Sequence, residues 1–341
     1  MGEKELTSKN MKIYCISKND IIKNDCCNME ETMQTIEKVL IDYKEGNVML
    51  PDKISQIFKQ ETQERINCMP ATLLNEKVCG VKWVSVFPNN PTEKKLPNVH
   101  GTVLLSSIEN GLPFAILDGT VLTNTRTAAV GGIAAKYLAR KDSEIIGFIG
   151  SGEQAKNHLI AMKTVTKNLK VCKVASKHKE SEENFIKEMK KIFPDIDFFS
   201  CNSNFQMAVD GADIIVTATS AQEPNLKAKW IKKGAFYCHV GGIEDEFDVP
   251  KLASKIVCDD WEAVKHRKQT ISIMYQDGIL RDKDINYMMD NNNLQENEMN
   301  NENDIDDNMD INLQEHFDEN NIEENDNNTN LDNIMNKEQN E

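Results

Sequence analysis

The chain has 341 residues, enough for two domains with sizeable cores. Its formal net charge of −15 sits in residues 291–341, where 16 acidic residues meet one lysine, so residues 1–290 balance 39 acids against 39 bases. A neutral body argues against a phosphate-tracking surface and so against nucleic-acid partners.

The N-terminal MGEKELT lacks an apolar signal core, and Leu6 stands where a myristoylation pattern wants Ser or Thr. No run approaches the roughly 18 apolar residues of a membrane span. The nine cysteines are scattered, without a CxxC pair or metal-ligand spacing, and read as ordinary thiols. Together these features lead us to expect a soluble, cytoplasmic protein without a metal site.

In chain order, residues 29–44 place Met33, Ile36, Val39, Leu40 and Tyr43 on one face, a helix closed by Gly46. Residues 79–117 hold three β-rich runs, VKWVSVFP, GTVLLSS and LPFAILD, between Asn, Pro and Gly clusters, which predicts hairpins or a meander. An Ala-rich helical stretch follows LTNTRTAAV. Strand-like and helical segments then alternate through IIGFIG, VCKVAS, ADIIVTAT, AFYCHVGG and KIVCDD, which predicts an α/β fold with a doubly wound parallel sheet. Residues 291–341 hold 18 Asn and neither Gly nor Pro, and we expect a disordered acidic tail.

The chemistry begins at Gly150-Ser151-Gly152-Glu153-Gln154-Ala155. A GxGxxA turn between strand and helix lets the backbone approach a pyrophosphate, and the helix start offers it free N–H groups and a positive dipole end. Alone, such a match also describes a tight strand-to-helix turn. The next strand ends in Ser176, Lys177, His178 and Lys179, with no acid before Glu180. Small polar and cationic residues there suit a 2′-phosphate better than a ribose diol, so NADP(H) is favoured within NAD(P). A lysine-rich loop without function is the plain alternative.

The run LTNTRTAAVGGIAAKYLARKDSEIIGFIGSGEQAKNHLIA, with MPATLL, GVKWVSVFP and ENGLPFAILDG upstream and ADIIVTATSAQEP and KKGAFYCHVGG downstream, resembles the ornithine cyclodeaminase/mu-crystallin family over roughly residues 45–280. The resemblance implies a Rossmann domain, residues 119–264, and a second α+β substrate and dimerisation domain from residues 1–118, joined by residues 265–290. It implies a homodimer whose substrate is a small amino acid or cyclic imine. It also implies that Arg126 holds the substrate carboxylate, that Lys82 is the active-site lysine, and that Asn98 and Thr102 line the pocket. Lys53 falls where many relatives carry a second carboxylate-binding arginine. Thr127, Gln154, Ala155, Thr217, Thr219 and Val240 fall at cofactor-lining positions.

The residue types fit these roles. A guanidinium matches a carboxylate bidentately, whereas at a helix start it meets an unfavourable dipole. Alternation puts Lys82 on a face with Val84 and Val86, where a lysine needs a partner. His100, His158 and His239 have no motif behind them, and His239 reads as packed at a strand end. Two features depart from the family. Ile243 stands where cyclodeaminase-like members have a proton-handling aspartate, which leaves Asp245 or Glu244 as its replacement, Asp245 first. In addition, the closing Gly-Arg turn, strand and helix of relatives have no counterpart after ISIMYQDGIL. The expected activity is a cyclodeaminase converting ornithine to proline and ammonia through internal hydride transfer. The alternatives are an NADPH-dependent ketimine reductase and a catalytically inactive cofactor-binding member.

Overall fold

The computed structural model describes residues 12–288, and the expected tail lies outside them. Two large sheets and a two-stranded one organise these residues, which fall within one unit of the chain.

The first sheet is built from β1 (Tyr14–Ile16), β2 (Val48–Met49), β3 (Ile54–Lys59), β4 (Glu64–Leu73), β5 (Val78–Val86), β6 (Val99–Ser107) and β7 (Pro113–Asp118). Its order is β1-β7-β6-β5-β4-β2, with β3 also on β4. Only β1 runs parallel to its neighbour; the other pairs are antiparallel. The expected meander is its central part, and β3 and β4 extend it beyond the runs read in the sequence. The register sets Lys82 opposite Met69 and Val103, and Trp83 opposite Cys68 and Thr102. Because side chains alternate, Lys82 and buried Val84 share one face while Trp83 and Thr102 take the other. Thr102 is therefore on the side away from Lys82 and exposed, not beside it as the resemblance implied.

Between β1 and β2 come α1 (Lys18–Lys23) and α2 (Met29–Lys44). Asn28 starts α2 by accepting from the Glu31 N–H at 3.2 Å, and Gly46 ends it with φ +81°. After α3 (Asn90–Glu93), α4 (Thr120–Leu138) joins the two sheets. Its Gly131 and Gly132 cost helix propensity but allow close packing: a Cβ at Gly132 would lie 3.0 Å from Ala161 and 3.1 Å from Met33.

The second sheet consists of β8 (Ile145–Ile149), β9 (Val171–Ala175), β10 (Asp197–Ser200), β11 (Ile214–Thr217) and β12 (Phe236–His239), in the order β10-β9-β8-β11-β12. Every pair is parallel. The helices α5 (Glu153–Val165), α6 (Lys179–Ile192) and α7 (Phe205–Val209) follow β8, β9 and β10. The order reverses between β8 and β11, and open sheets of this kind bind ligands beyond the carboxyl ends of the strands at such a reversal. The core joins Phe148, Leu159, Met162, Val174, Phe185 and Ile214. Gly147 lets α7 cross β8, since a Cβ there would lie 2.2 Å from the Ala208 carbonyl oxygen. Gly147→Ala is expected to cost about 3 kcal/mol, read as a lower denaturant midpoint at unchanged m-value.

After α8 (Asp248–Leu252), KIVCDD forms β13 (Ile256–Cys258), which does not join the parallel sheet as the alternation predicted. It pairs instead with β14 (Ile285–Tyr287), a segment 29 residues later in register, and α9 (Trp261–Val264) and α10 (Thr270–Gln276) pack between them around Trp261 and Met274. A three-residue apolar run does not specify its partner, and tertiary packing decides it. Among the described residues no helix is long and apolar enough to cross a membrane, and all nine cysteines are free.

Candidate functional site

The turn from β8 into α5 is shaped for a phosphate group. Gly150 has φ +105°, and a Cβ on it would lie 2.4 Å from the Ala218 carbonyl oxygen. Gly152 meets nothing within 4 Å of a built Cβ, so its backbone faces open space. No side chain caps α5, whose first N–H groups point into that space with their dipole. Ser151 is buried beside them, and Ala155 is fully buried against the sheet. Gln154 donates to Asn124 Oδ1 at 3.0 Å and leaves its buried Oε1 without a partner. An open glycine, an uncapped helix start and an orphaned amide oxygen fit a dinucleotide's pyrophosphate and its neighbours.

At the end of β9, Ser176 Oγ donates to the His178 carbonyl at 2.8 Å, and Lys177 is exposed. The sequence reading missed Glu182 in this region. Its buried carboxylate accepts from Ser176 N (2.9 Å), Ser200 Oγ (2.6 Å), Asn202 N (3.0 Å) and Ser203 N (2.8 Å), tying both loops at this edge together. With all four donors inside the protein, that acid is not offered to a ribose diol. Glu182 becomes legible only once α6 is known to fold back over β9.

The remaining cofactor-lining candidates are placed as follows. Thr127 Oγ1 donates to the Thr123 carbonyl of its own helix at 2.7 Å. Val240 packs against the core, and its N–H donates to the Thr217 carbonyl at 3.1 Å. Thr217 and Thr219 donate their hydroxyls to Glu244, at 2.9 and 2.8 Å.

A cluster of cations gathers where the first sheet faces α4. Val103, opposite Lys82 in register, packs against Gly119 at the start of α4, two turns before Arg126. Burial, then the charge of Arg126, pulls the Lys82 ammonium down to about 7. Burial also lowers Arg126, with Arg267 adding to the effect and Asp259 opposing it. Lys53 leads into β3; desolvation, then Arg267 and Arg65, brings it to about 8, although the residue as a whole is exposed. Among the described residues neither Lys82 nor Arg126 has a hydrogen bond or ion pair. Asn98, just before β6, keeps a buried Oδ1 without a partner. Several cations with one nearby carboxylate leave a surplus of positive charge here, which an anionic group would offset. Arg65, Asp259 and Arg267 were not singled out in the sequence: Arg65 had only strand alternation to mark it, and Arg267 had no motif.

Asp245 is buried away from solvent. Its Oδ1 accepts from Thr270 Oγ1 at 2.7 Å and lies 3.0 Å from His239 Nδ1. The His239 Nε2 lies 2.7 Å from the Gly242 carbonyl oxygen. Burial works to lower His239, but the Asp245 carboxylate, Glu244 and the Gly242 carbonyl outweigh it, and the net shift is upward. His158, buried under α4, is pushed down to about 4 and is neutral, while His100 sits 3.4 Å from Thr120 Oγ1.

The sequence profile of the ornithine cyclodeaminase/mu-crystallin family matches residues 16–271. The alanine dehydrogenase of Archaeoglobus fulgidus is 34% identical over 264 residues, which cover 76% of this chain and 77% of that protein. The Thermococcus litoralis Δ1-pyrroline-2-carboxylate reductase, solved with NADH and L-proline, superposes with a TM-score of 0.75 at 30% identity, covering 80% of this chain and 84% of that one. An archaeal alanine dehydrogenase dimer with bound NAD gives a TM-score of 0.71 at 29% identity, covering 81% and 83%. With the profile matching most of its length and these relatives spanning most of theirs, the chain belongs to the ornithine cyclodeaminase/mu-crystallin family.

Proposed function

We propose that this protein is an NAD(P)-dependent oxidoreductase acting at the C–N bond of a small α-imino or α-amino acid, with reduction of a cyclic imine such as Δ1-pyrroline-2-carboxylate as the leading activity. The observation that carries this reading is the pair Lys82 and Arg126, two unpartnered and desolvated cations beside a dinucleotide cleft. A substrate carboxylate supplies the anion they lack, and the guanidinium fork fixes the orientation of the neighbouring carbon. The bound nicotinamide supplies or accepts the hydride. Gly150, Ser151, Gly152, Gln154 and Ala155 hold the pyrophosphate region. Ser176 and Lys177 favour NADP(H), because the one acid folded into that edge, Glu182, is already consumed. Asn98 offers its Oδ1 to the substrate's nitrogen, and Lys53 extends the anion-binding pocket.

Proton handling by Asp245 is indirect in this reading, through His239, because its carboxylate is turned inward. Reduction does not need the carboxylate that activates an attacking amine in a cyclodeaminase, and Ile243 supplies none. On the first sheet, the face opposite Lys82 presents Ile54 and Trp83, 64% and 46% exposed and both in register with Cys68. Such an apolar face suits a second copy of the chain, as in the dimeric relative.

The test uses purified protein with NADPH or NADH and Δ1-pyrroline-2-carboxylate, its six-membered homologue, or pyruvate with ammonia, and separately L-ornithine with NAD+. Oxidation of the reduced cofactor by a cyclic imine, with NADPH preferred, is the expected result. Proline and ammonia from ornithine would return the cyclodeaminase reading, and cofactor binding with no turnover would leave an inactive member.

A further inference from the structure

At the carboxyl ends of β11 and β12 the chain buries more charge than the proton relay of Asp245 and His239 requires. Glu244 is fully buried, and its carboxylate takes four donors: Thr219 N (2.5 Å) and Thr219 Oγ1 (2.8 Å) on Oε1, Thr217 Oγ1 (2.9 Å) and Gly241 N (2.6 Å) on Oε2. Gly241 makes room for it, since a Cβ there would lie 2.5 Å from Glu244 Cδ. Beside it, buried Asp245 holds His239 and Thr270, and the far side of the imidazole reaches the Gly242 carbonyl. With Asp245 ionised both ring nitrogens face acceptors, and an imidazolium, favoured by the Asp245 carboxylate against burial, donates to each. Tyr237, bonded to Thr217 at 2.9 Å, and the Cys238 thiol are both pushed up by burial, the thiol to about 12, and stay neutral. Two carboxylates and one imidazolium leave the network one net negative charge; with a neutral ring it would carry two.

The position of this charge follows from the strand order. The pyrophosphate turn follows β8 and the adenosine edge is at β9, so the second nucleotide of a dinucleotide extends over β11 and β12. That placement rests on the dinucleotide reading given above. An oxidised nicotinamide ring is a cation, and a reduced one is neutral. A fixed, desolvated negative charge at that edge interacts with the first and not with the second.

We propose that Glu244 and Asp245, with His239 as their partial counter-charge, form an electrostatic positioning network that makes the protein bind the oxidised nicotinamide cofactor in preference to the reduced one. Binding the oxidised form more tightly makes the bound reduced form a stronger hydride donor. The network thus acts on the cofactor's redox balance without touching the reacting carbon of the substrate. Its charge also explains why two carboxylates are buried at adjacent positions, where one would suffice to tie the loop.

The experiment measures dissociation constants of NADP+ and NADPH, and of NAD+ and NADH, for the full chain by titration calorimetry, without substrate. Asp245→Asn is made in the His239→Asn background, where no imidazolium can release a proton to offset the lost charge, and it keeps an oxygen for Thr270, which meets Oδ1. Against His239→Asn alone, the ratio of the oxidised to the reduced dissociation constant is expected to rise about tenfold. Glu244→Gln should move it the same way, and His239→Asn, which removes the positive partner, the opposite way. A purely structural role for the network would weaken both redox forms by one common factor, and that result, or an unchanged ratio in Asp245→Asn, overturns the proposal. Should Glu244→Gln fail to fold, Asp245→Asn and His239→Asn still decide the sign. If the wild-type chain binds neither redox form, the dinucleotide reading of Gly150–Ala155 fails and takes this proposal with it.

Discussion

Arg126→Ala is expected to lower kcat/KM for the imino acid about a thousandfold while leaving the dissociation constant of the cofactor within about twofold. The size follows from two charge-assisted hydrogen bonds to a carboxylate, each worth about 1.5–3 kcal/mol, lost together in a desolvated pocket. The selectivity follows from position. Arg126 lies on α4, which faces Lys82 through the contact of Val103 with Gly119, whereas the pyrophosphate turn is made by the backbone between β8 and α5. Arg126→Lys keeps the charge and loses the fork, so it should recover part of the activity and leave a deficit of about ten- to a hundredfold. Steady-state kinetics with varied imino acid and NADPH, beside a direct cofactor titration, separates these effects. Equal losses in cofactor binding and in kcat/KM, or kinetics unchanged in Arg126→Ala, would remove Arg126 from the substrate site.

The parts of this site that were legible in the sequence are those in which local pattern and geometry coincide. Alternation alone put Lys82 on the face of Val84, and the structure buries Val84 there. The spacing of Gly150 and Gly152 after an apolar strand announced a backbone held open, and Gly152 has no neighbour within 4 Å of a built Cβ. What the sequence left hidden depends on distant partners. Asp245 reads as an available acid until Thr270, 25 residues on, and His239 are seen to claim it. Glu182 lies beyond the strand end where an acid was sought, and one turn of α6 brings it back to Ser176. Arg65 and Arg267 join the cation cluster from a neighbouring strand and from the segment after α9, and no local motif connects either with Arg126. The strand β13 was read in the right place and assigned to the wrong sheet, because its pairing with β14 is decided by the packing of Trp261 and Met274.

Lys82 combines a binding role with a cost to folding, and pH separates the two. Its ammonium is needed in the charged form to meet a carboxylate, yet burial and the charge of Arg126 bring it down to about 7 from an ordinary 10.5. In the free protein, affinity for a carboxylate that does not titrate in this range, such as pyrrole-2-carboxylate, is therefore expected to be level below pH 7. Above it, affinity should fall about tenfold per pH unit. Lys82→Arg, charged throughout, should remove that break; a break that persists at the same pH would assign it to another group. The sign for folding is the reverse. Between about pH 7 and 10.5 the unfolded chain holds a proton on Lys82 that the folded protein has released, so stability rises with pH across that window. The contribution is complete above 10.5 and is lost as pH falls through 7. Lys82→Met deletes the buried cation and keeps the stem, so at pH 6 the variant is expected to be about 1 kcal/mol or more stabler than the wild type in urea unfolding. That advantage should shrink toward pH 10, while carboxylate binding is lost at every pH. A stability gain at pH 6 together with lost binding identifies a residue kept for function against the preference of the fold. Lower stability in Lys82→Met at pH 6 would show that the lysine has a partner inside the protein, and the carboxylate reading would fall with it.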